Sequence, residues 1–182
     1  MRILGLNGSL RRDSYNGALL RIAAEELAPV ELVLFDRLAD LPAYNQDAEA
    51  GPTPEPVQHL RAAIARADGV LIATPEYNAS IPGALKNTLD WASRPFPANV
   101  LRRKPVAVIG ASTGPFGAVW AQAELRKVLT TIGALVVEGD LPVARAHELL
   151  AHGDIPAELR ARLAALLGRL VASIQLPTEF AA

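Results

Sequence analysis

Short, wholly apolar runs alternate with amphipathic stretches along most of the chain, and this alternation limits its possible folds more than any other feature. The apolar runs predict buried strands at residues 2–7, 30–35, 69–74, 104–111 and 134–139. The amphipathic stretches carry apolar residues at helical spacing and predict helices at residues 16–27, 57–67, 82–93, 117–133 and 156–174. Strands that are apolar on both faces and alternate with helices indicate a parallel sheet covered on both sides. We therefore predict the α/β class, as a three-layer α/β/α sandwich around a five-stranded parallel sheet.

Length and charge limit what the chain can do. With 182 residues and a formal net charge of -1, it carries no excess of positive charge that would attract nucleic acid or an anionic membrane. Its apolar runs are too short to span a bilayer, and strand-like residues start at residue 2, so we expect no signal peptide. We expect residues 1–182 to form a single domain.

The chain contains no cysteine, which excludes disulfides, thiolate nucleophiles, zinc–cysteine sites and iron–sulfur ligation. Such a composition is typical of a reducing compartment, so we expect a cytoplasmic protein. Three scattered histidines, His59, His147 and His152, lack the spacing of a metal site. We expect no bound metal.

Three polar loops follow the first, third and fourth predicted strands: "GSLRRDSYN" at 8–16, "TPEYNASIPG" at 74–83 and "ASTGPFGA" at 111–118. In an open α/β sheet, ligands lie beyond the carboxyl ends of the strands, where the strand order reverses. All three loops are rich in Gly, Ser, Asn or Pro and are longer than a minimal connection. Their coincidence at one edge predicts a ligand site.

The first loop predicts a phosphate site at a helix N-terminus. Unpaired backbone N–H groups there attract anions, Ser9, Ser14 and Asn16 add neutral donors, and Arg11 adds a planar cation suited to phosphate. The alternative is simple helix capping by Ser14 or Asn16, with solvated arginines. Neither the dinucleotide fingerprint GxGxxG nor a P-loop is present, so the loop favours a mononucleotide.

The second and third loops suit a flat ring. Pro75 forces the preceding residue into an extended conformation, and Glu76-Tyr77-Asn78 then presents main-chain N–H groups and one aromatic side chain. Glycines in the third loop permit close approach to a ring edge. Two alternatives stay open: Tyr77 as a core aromatic, and Glu76 as a backbone-contacting or surface residue.

Three stretches resemble motifs of the NADPH-dependent FMN reductases, a family of flavodoxin-like fold that includes bacterial quinone and chromate reductases. They are "GSLRRDSYN", "TPEYNASIPGALKNTLDW" and "LPAYNQDAE" at 41–49. The similarity runs from residue 3 to about residue 140, and the C-terminal helix is similar only in kind. One departure is Gly117-Ala118, where the family often has paired glycines.

The resemblance implies strand order 2-1-3-4-5, FMN as cofactor, NADPH or NADH as co-substrate, and a homodimer or homotetramer. It implies ping-pong transfer of hydride through flavin N5 to quinones or similar small acceptors, with no catalytic side chain. The alternatives are a flavodoxin-like electron carrier, which the net charge of -1 does not favour, and a non-catalytic FMN-binding sensor. The cofactor-binding residues implied by position are Ser9, Arg11, Ser14, Tyr15 and Asn16 at the phosphate, and Pro75, Glu76, Tyr77, Asn78, Ser112, Gly114 and Gly117 around the ring and ribityl chain.

Overall fold

The computed structural model describes residues 1–150 and 155–176 and contains one parallel sheet. Its strands run in the order β2-β1-β3-β4-β5, and the short β6 also pairs with β4. This topology confirms the predicted sandwich and strand order. The strands are β1 (Arg2–Asn7), β2 (Glu31–Phe35), β3 (Gly69–Thr74), β4 (Pro105–Ala111), β5 (Leu135–Val136) and β6 (Pro142–Val143).

The helices lie near the predicted positions, and their ends have local causes. Ser14 accepts a hydrogen bond from the N–H of Gly17 and so caps the first helix. Gly133, at φ 96°, ends the fifth one in the left-handed conformation that glycine favours. The helices are α1 (Tyr15–Leu27), α2 (Gln46–Glu49), α3 (Glu55–Arg66), α4 (Gly83–Ala92), α5 (Val119–Ile132), α6 (Ala146–Leu149) and α7 (Ala157–Gln175).

The two faces of the sheet bury separate apolar clusters. In β3, Val70 and Ile72 pack in the cluster beneath α3, α4 and α5, whereas Leu71 and Ala73 pack in the cluster beneath α1 and α7. Every residue of β3 is buried as a result. Covering on both faces explains why this strand is apolar throughout instead of alternating.

The predicted strand at 134–139 is wrong in its extent. Val137 still donates to the carbonyl of Val106 (2.8 Å), but the chain then leaves the sheet through Gly139 at φ 98°. It returns at Leu141, whose carbonyl accepts from Gly110 (3.2 Å). The predicted strand is thus shortened to β5, and a further short strand that was not predicted, β6, runs beside the carboxyl end of β4.

The connection from β2 to α3 is held against α4. Trp91 Nε1 and Asn87 Nδ2 both donate to the carbonyl of Pro42, at 2.8 and 3.0 Å, and the N–H of Tyr44 donates to Asn87 Oδ1 at 2.7 Å. The rings of Tyr44 and Trp91 meet edge-to-face at 5.1 Å. These contacts give "LPAYN" and "KNTLDW" a shared structural role.

Of the helices in the described part of the chain, none is long and apolar enough to cross a membrane.

Candidate cofactor site

Three loops meet at the carboxyl edge of the sheet and enclose one cleft. We name them loop 1 (residues 8–14), loop 2 (75–82) and loop 3 (112–118). Most of the predicted site residues line the cleft, as do Ala111 and Thr113, which the sequence analysis missed although they flank the predicted Ser112. Asn78, Gly114 and Gly117 do not line it. The lining residues are Ser9, Arg11, Ser14, Tyr15, Asn16, Pro75, Glu76, Tyr77, Ala111, Ser112 and Thr113.

Asn7, the last residue of β1, organises loop 1. Its Oδ1 accepts from the N–H of Ser9 (3.1 Å) and from the hydroxyl of Ser14 (3.4 Å). The Ser14 oxygen in turn accepts from Gly17 (3.1 Å), so the capping interpretation is correct for that hydroxyl. The sequence analysis missed Asn7, although a polar residue at the end of an apolar strand was a usable signal.

The donor set in loop 1 suits an anionic group. The N–H groups of Tyr15 and Asn16 lie in the first turn of α1, where helix geometry gives them no partner within the helix. Ser9, whose hydroxyl accepts a long hydrogen bond from the N–H of Arg11 (3.5 Å), lines the same cleft, and the exposed guanidinium of Arg11 lies 5.9 Å from the centre of the Tyr15 ring. Backbone donors, a hydroxyl and a cation at a helix N-terminus are the groups that bind a phosphate.

The side chain of Asn16 joins two sides of the cleft. It is 2% exposed, its Nδ2 donates to the carbonyl of Ala111 and its Oδ1 accepts from the N–H of Ala111, both at 2.9 Å. The sequence suggests this side chain as a phosphate donor, but both of its polar atoms are bonded to the end of β4. Only the backbone N–H of Asn16 is left to face a ligand.

Loop 2 forms a tight two-residue turn. Tyr77 and Ser80 exchange backbone hydrogen bonds at 3.0 and 3.1 Å, and Asn78 and Ala79 between them have φ of 53° and 59°. Left-handed backbone at both central residues is the signature of a type I′ turn. The Tyr77 side chain is 49% exposed beside the cleft, so the alternative that it is a core aromatic is wrong.

Glu76 connects loop 2 to α5. Its Oε2 accepts from the N–H groups of Trp120 and Ala121, each at 3.0 Å. Ala118 precedes this helix and has no side chain that could cap it. Glu76 therefore caps α5 from a distant part of the sequence, with its negative charge at the positive end of the helix dipole. Of the two options left open for Glu76, the structure shows the backbone contact.

Loop 3 packs against β6 and the residues that follow it. The N–H of Ser112 donates to Val143 (3.0 Å) and the carbonyl of Ser112 accepts from Ala146 (2.9 Å). Gly117 has φ 63°, and a Cβ there would lie 2.7 Å from backbone atoms of Pro142 and Val143. This glycine is thus required by packing of the protein on itself, whereas the sequence analysis placed it beside a ring.

Gln122 fixes the same region from inside. It is almost fully buried, its Nε2 donates to the carbonyl of Gly117 and its Oε1 accepts from the N–H of Leu141, both at 3.1 Å.

Within residues 1–150 and 155–176, no group of three or more His, Asp or Glu could hold a metal ion, and His152 lies outside those residues.

Comparison with known proteins gives consistent matches. The model of a family described as NADPH-dependent FMN reductase matches residues 1–148, which include all three loops. The chain is 44% identical over 129 residues to an NAD(P)H-dependent FMN reductase of Pseudomonas aeruginosa, across 71% of this chain and 69% of that protein. It is 47% identical over 129 residues to a 2-hydroxy-1,4-benzoquinone reductase of a Burkholderia species, across 70% and 69%.

A solved structure is similar over nearly the whole chain. The flavoenzyme NAD(P)H:(acceptor) oxidoreductase FerB from Paracoccus denitrificans is 37% identical, with a TM-score of 0.82. The match covers 95% of this chain and 96% of that one. The similarity therefore extends beyond the motifs to the arrangement of the helices and strands.

Proposed function

Because this chain belongs to the NADPH-dependent FMN reductase family, we propose that it uses bound FMN to pass two electrons from NADPH or NADH to a quinone or a similar small acceptor. The observation that carries the proposal is the cleft itself, where a phosphate-binding donor set lies opposite an exposed tyrosine and a third loop of small residues. The quinone reductases among the relatives support this class of acceptor.

The residues of the cleft fit FMN in two parts. The phosphate would be held by the N–H groups of Tyr15 and Asn16, by the hydroxyl of Ser9 and by the guanidinium of Arg11. The ring system would be held by loops 2 and 3, which supply Pro75, Glu76, Tyr77, Ser112 and Thr113. Asn78, Gly114 and Gly117 support the loops instead of lining the cleft.

The protein contributes binding and orientation. FMN, when bound, supplies the centre that accepts hydride from the coenzyme and gives it up to the acceptor. In the net reaction, NADPH and one proton convert a quinone to its hydroquinone and leave NADP⁺. Among the described residues that line the cleft, Glu76 is the carboxylate, and its Oε2 caps α5; we propose that no side chain is needed as proton donor and that the proton comes from solvent.

We also propose a ping-pong order, as the resemblance implies: the oxidised coenzyme leaves before the acceptor enters. We further propose that residues 1–182 form one FMN-binding domain and assemble as a homodimer or homotetramer, as the resemblance implies.

The test is a visible spectrum. FMN is added to the purified protein, the excess is removed by gel filtration, and NADPH is added without oxygen. We expect a retained flavin spectrum that bleaches with NADPH and returns when a quinone is added. A retained spectrum that NADPH leaves unchanged would assign the chain to the carriers or sensors, and loss of all flavin on the column would remove FMN from the proposal.

A further inference from the structure

Two large aromatic side chains are exposed at the start of α5. Phe116 in loop 3 is 58% exposed and Trp120 in α5 is 48% exposed. Their rings contact each other edge-to-face, with centroids 4.9 Å apart and an interplanar angle of 62°. Single exposed apolar residues are common, but two exposed aromatic rings in contact form a local apolar patch, and such patches often mark binding sites.

The pair lies at the rim of the cleft. The backbone N–H of Trp120 is 3.0 Å from the carboxylate of Glu76, which lines the cleft. Phe116 comes three residues after Thr113, which also lines it. Tyr77, also on the lining, is similarly exposed at 49%. Neither ring is among the residues that line the cleft, so the pair stands beside the cleft and is connected to it through Glu76 and Thr113.

The size of the pair suits a small ring better than a protein. An aromatic side chain has ~150–250 Å² of surface, so the exposed parts of these two amount to about 200 Å². A stable protein interface takes about 800 Å² from each partner. A quinone, being flat and electron-poor, matches the electron-rich faces of Trp and Phe in both area and electronic character.

We propose that Phe116 and Trp120 form the docking surface for aromatic electron acceptors, and so determine which acceptors the protein uses. This inference rests on the proposed function, because it assigns a substrate contact to the same cleft. It concerns the second half of the reaction, in which the acceptor takes up the electrons, and we expect the coenzyme to reach the cofactor without contacting this pair.

The kinetic test compares acceptors with and without a ring. In Phe116→Ala and Trp120→Ala holoenzymes we expect the KM for a benzoquinone to rise about three- to tenfold, the range that one aromatic contact supports. The rate of bleaching by NADPH and the KM for ferricyanide, which has no ring, should stay as in the wild type. Trp120→Phe, which keeps a ring, should stay within about twofold of the wild-type KM.

Phe96→Ala is the matched control. Phe96 is 65% exposed and lies between α4 and β4, on the connection that leads to the opposite edge of the sheet. Its loss should leave the KM for every acceptor unchanged. An equal rise in the quinone KM in this control would overturn the proposal, as would unchanged quinone KM values in both cleft variants.

Fluorescence gives a readout that needs no turnover. The chain has two tryptophans, and Trp91 is only 1% exposed. Benzoquinone added to the oxidised holoenzyme should quench Trp120 beyond the quenching of free tryptophan amide, and this excess should disappear in Trp120→Phe. No excess quenching in the wild type contradicts the proposal.

Gel filtration tests the competing explanation, that the pair is a contact between copies of this chain. If the apparent mass of Phe116→Ala or Trp120→Ala falls below that of the wild type, the pair is a contact between copies of this chain and the acceptor proposal is wrong. An unchanged mass together with the selective KM change supports it. Failure of the proposed function itself would be visible earlier, as a wild-type protein that retains no flavin or does not bleach.

Discussion

Asn16, Glu76 and Gln122 share one property: each uses its side chain to bond backbone groups of a different segment of the chain. Asn16 fixes α1 to β4, Glu76 fixes loop 2 to α5, and Gln122 fixes loop 3 to the start of β6. A buried backbone group without a partner costs ~1–3 kcal/mol. These residues therefore hold the walls of the cleft at set positions before any ligand binds.

Arg11→Ala should weaken FMN binding by about ten- to a hundredfold, because a hydrogen bond to a charged group is worth ~1.5–3 kcal/mol. The free energy of unfolding without FMN should not change, since Arg11 is exposed. The measurement is an FMN titration followed by flavin fluorescence, beside urea unfolding of the apoprotein. Arg12→Ala, also exposed and adjacent, is the control and should bind FMN normally. Equal losses in the two variants would show that only general charge matters.

Asn16→Ala, unlike Arg11→Ala, should lower the stability of the apoprotein. It leaves the N–H and carbonyl of Ala111 buried without their partner, so the apoprotein should lose about 1–3 kcal/mol of unfolding free energy. Urea unfolding of the apoprotein measures this loss. FMN affinity should fall as well, because loop 1 loses its fixed position. A variant that binds FMN poorly but unfolds like the wild type would return Asn16 to the role of direct phosphate ligand.

These two variants show what the sequence could and could not predict about the site. Polar residues after β1, β3 and β4 predicted where the cleft lies, because the carboxyl ends of parallel strands share one edge. The bonding partners were not predictable, since Ala111 is 95 residues from Asn16 and pairs with it only through the fold. Gly117 was identified as necessary, but for a ligand contact instead of its contact with the backbone of β6.

At the scale of elements, α5 depends on loop 2 for its first turn. Ala118 has φ 60° and no capping group, so the free N–H groups of Trp120 and Ala121 rely on Glu76. A change in loop 2 is therefore transmitted to the N-terminus of α5, where Phe116 and Trp120 meet. The two walls of the cleft are coupled through one carboxylate.

Glu76→Ala should lower the free energy of unfolding by about 1–2 kcal/mol, the usual cost of losing a helix cap. Glu76→Gln keeps an oxygen acceptor and loses only the interaction of charge with the helix dipole, ~0.3–1 kcal/mol, so it should lie between wild type and Glu76→Ala. Urea unfolding at low and high salt checks this, because salt should reduce the difference between Glu and Gln. If Glu76→Gln lowers the free energy of unfolding as much as Glu76→Ala does, the carboxylate makes another essential contact.

The split between β5 and β6 shows where element prediction fails. "ALVVEG" has the composition of a strand, yet side chains from α5 take the backbone groups on either side of the detour. Arg126 donates to the carbonyl of Val137 at 2.9 Å and Gln122 accepts from Leu141. Tertiary bonds of this kind have no local sequence signal, whereas the central strands at 2–7 and 69–74 were predicted to the residue because both of their faces are buried.

For the molecule as a whole, most residues that line the cleft belong to neither apolar cluster, and the cleft borders the core at Ala111 and Tyr15. FMN should therefore add stability by binding the folded state alone, by about 2.7 kcal/mol at a hundredfold excess over Kd. In a protein of this size, each kcal/mol raises Tm by ~2–4 °C, so we expect a rise of roughly 5–10 °C. Differential scanning fluorimetry with and without FMN measures it.

The same experiment on Arg11→Ala is the control for that rise. At the same FMN concentration about half of the increase or more should disappear, because the excess over Kd falls ten- to a hundredfold, while the Tm of the apoprotein stays at the wild-type value. A full rise in the variant would mean that FMN stabilises the protein from some place other than the cleft.

The bonds from Asn16 and Glu76 end on main-chain atoms of residues 111, 120 and 121, not on their side chains. Any amino acid except proline can supply those same N–H and carbonyl groups. Ala111 and Ala121 are buried in the core and accept only a small side chain, but Trp120 is exposed, so its side chain can be exchanged over evolutionary time without breaking the bonds that hold the cleft together. A related protein could carry a polar or charged residue in place of Trp120, and so bind different acceptors beside the cleft, while keeping the same backbone hydrogen bonds.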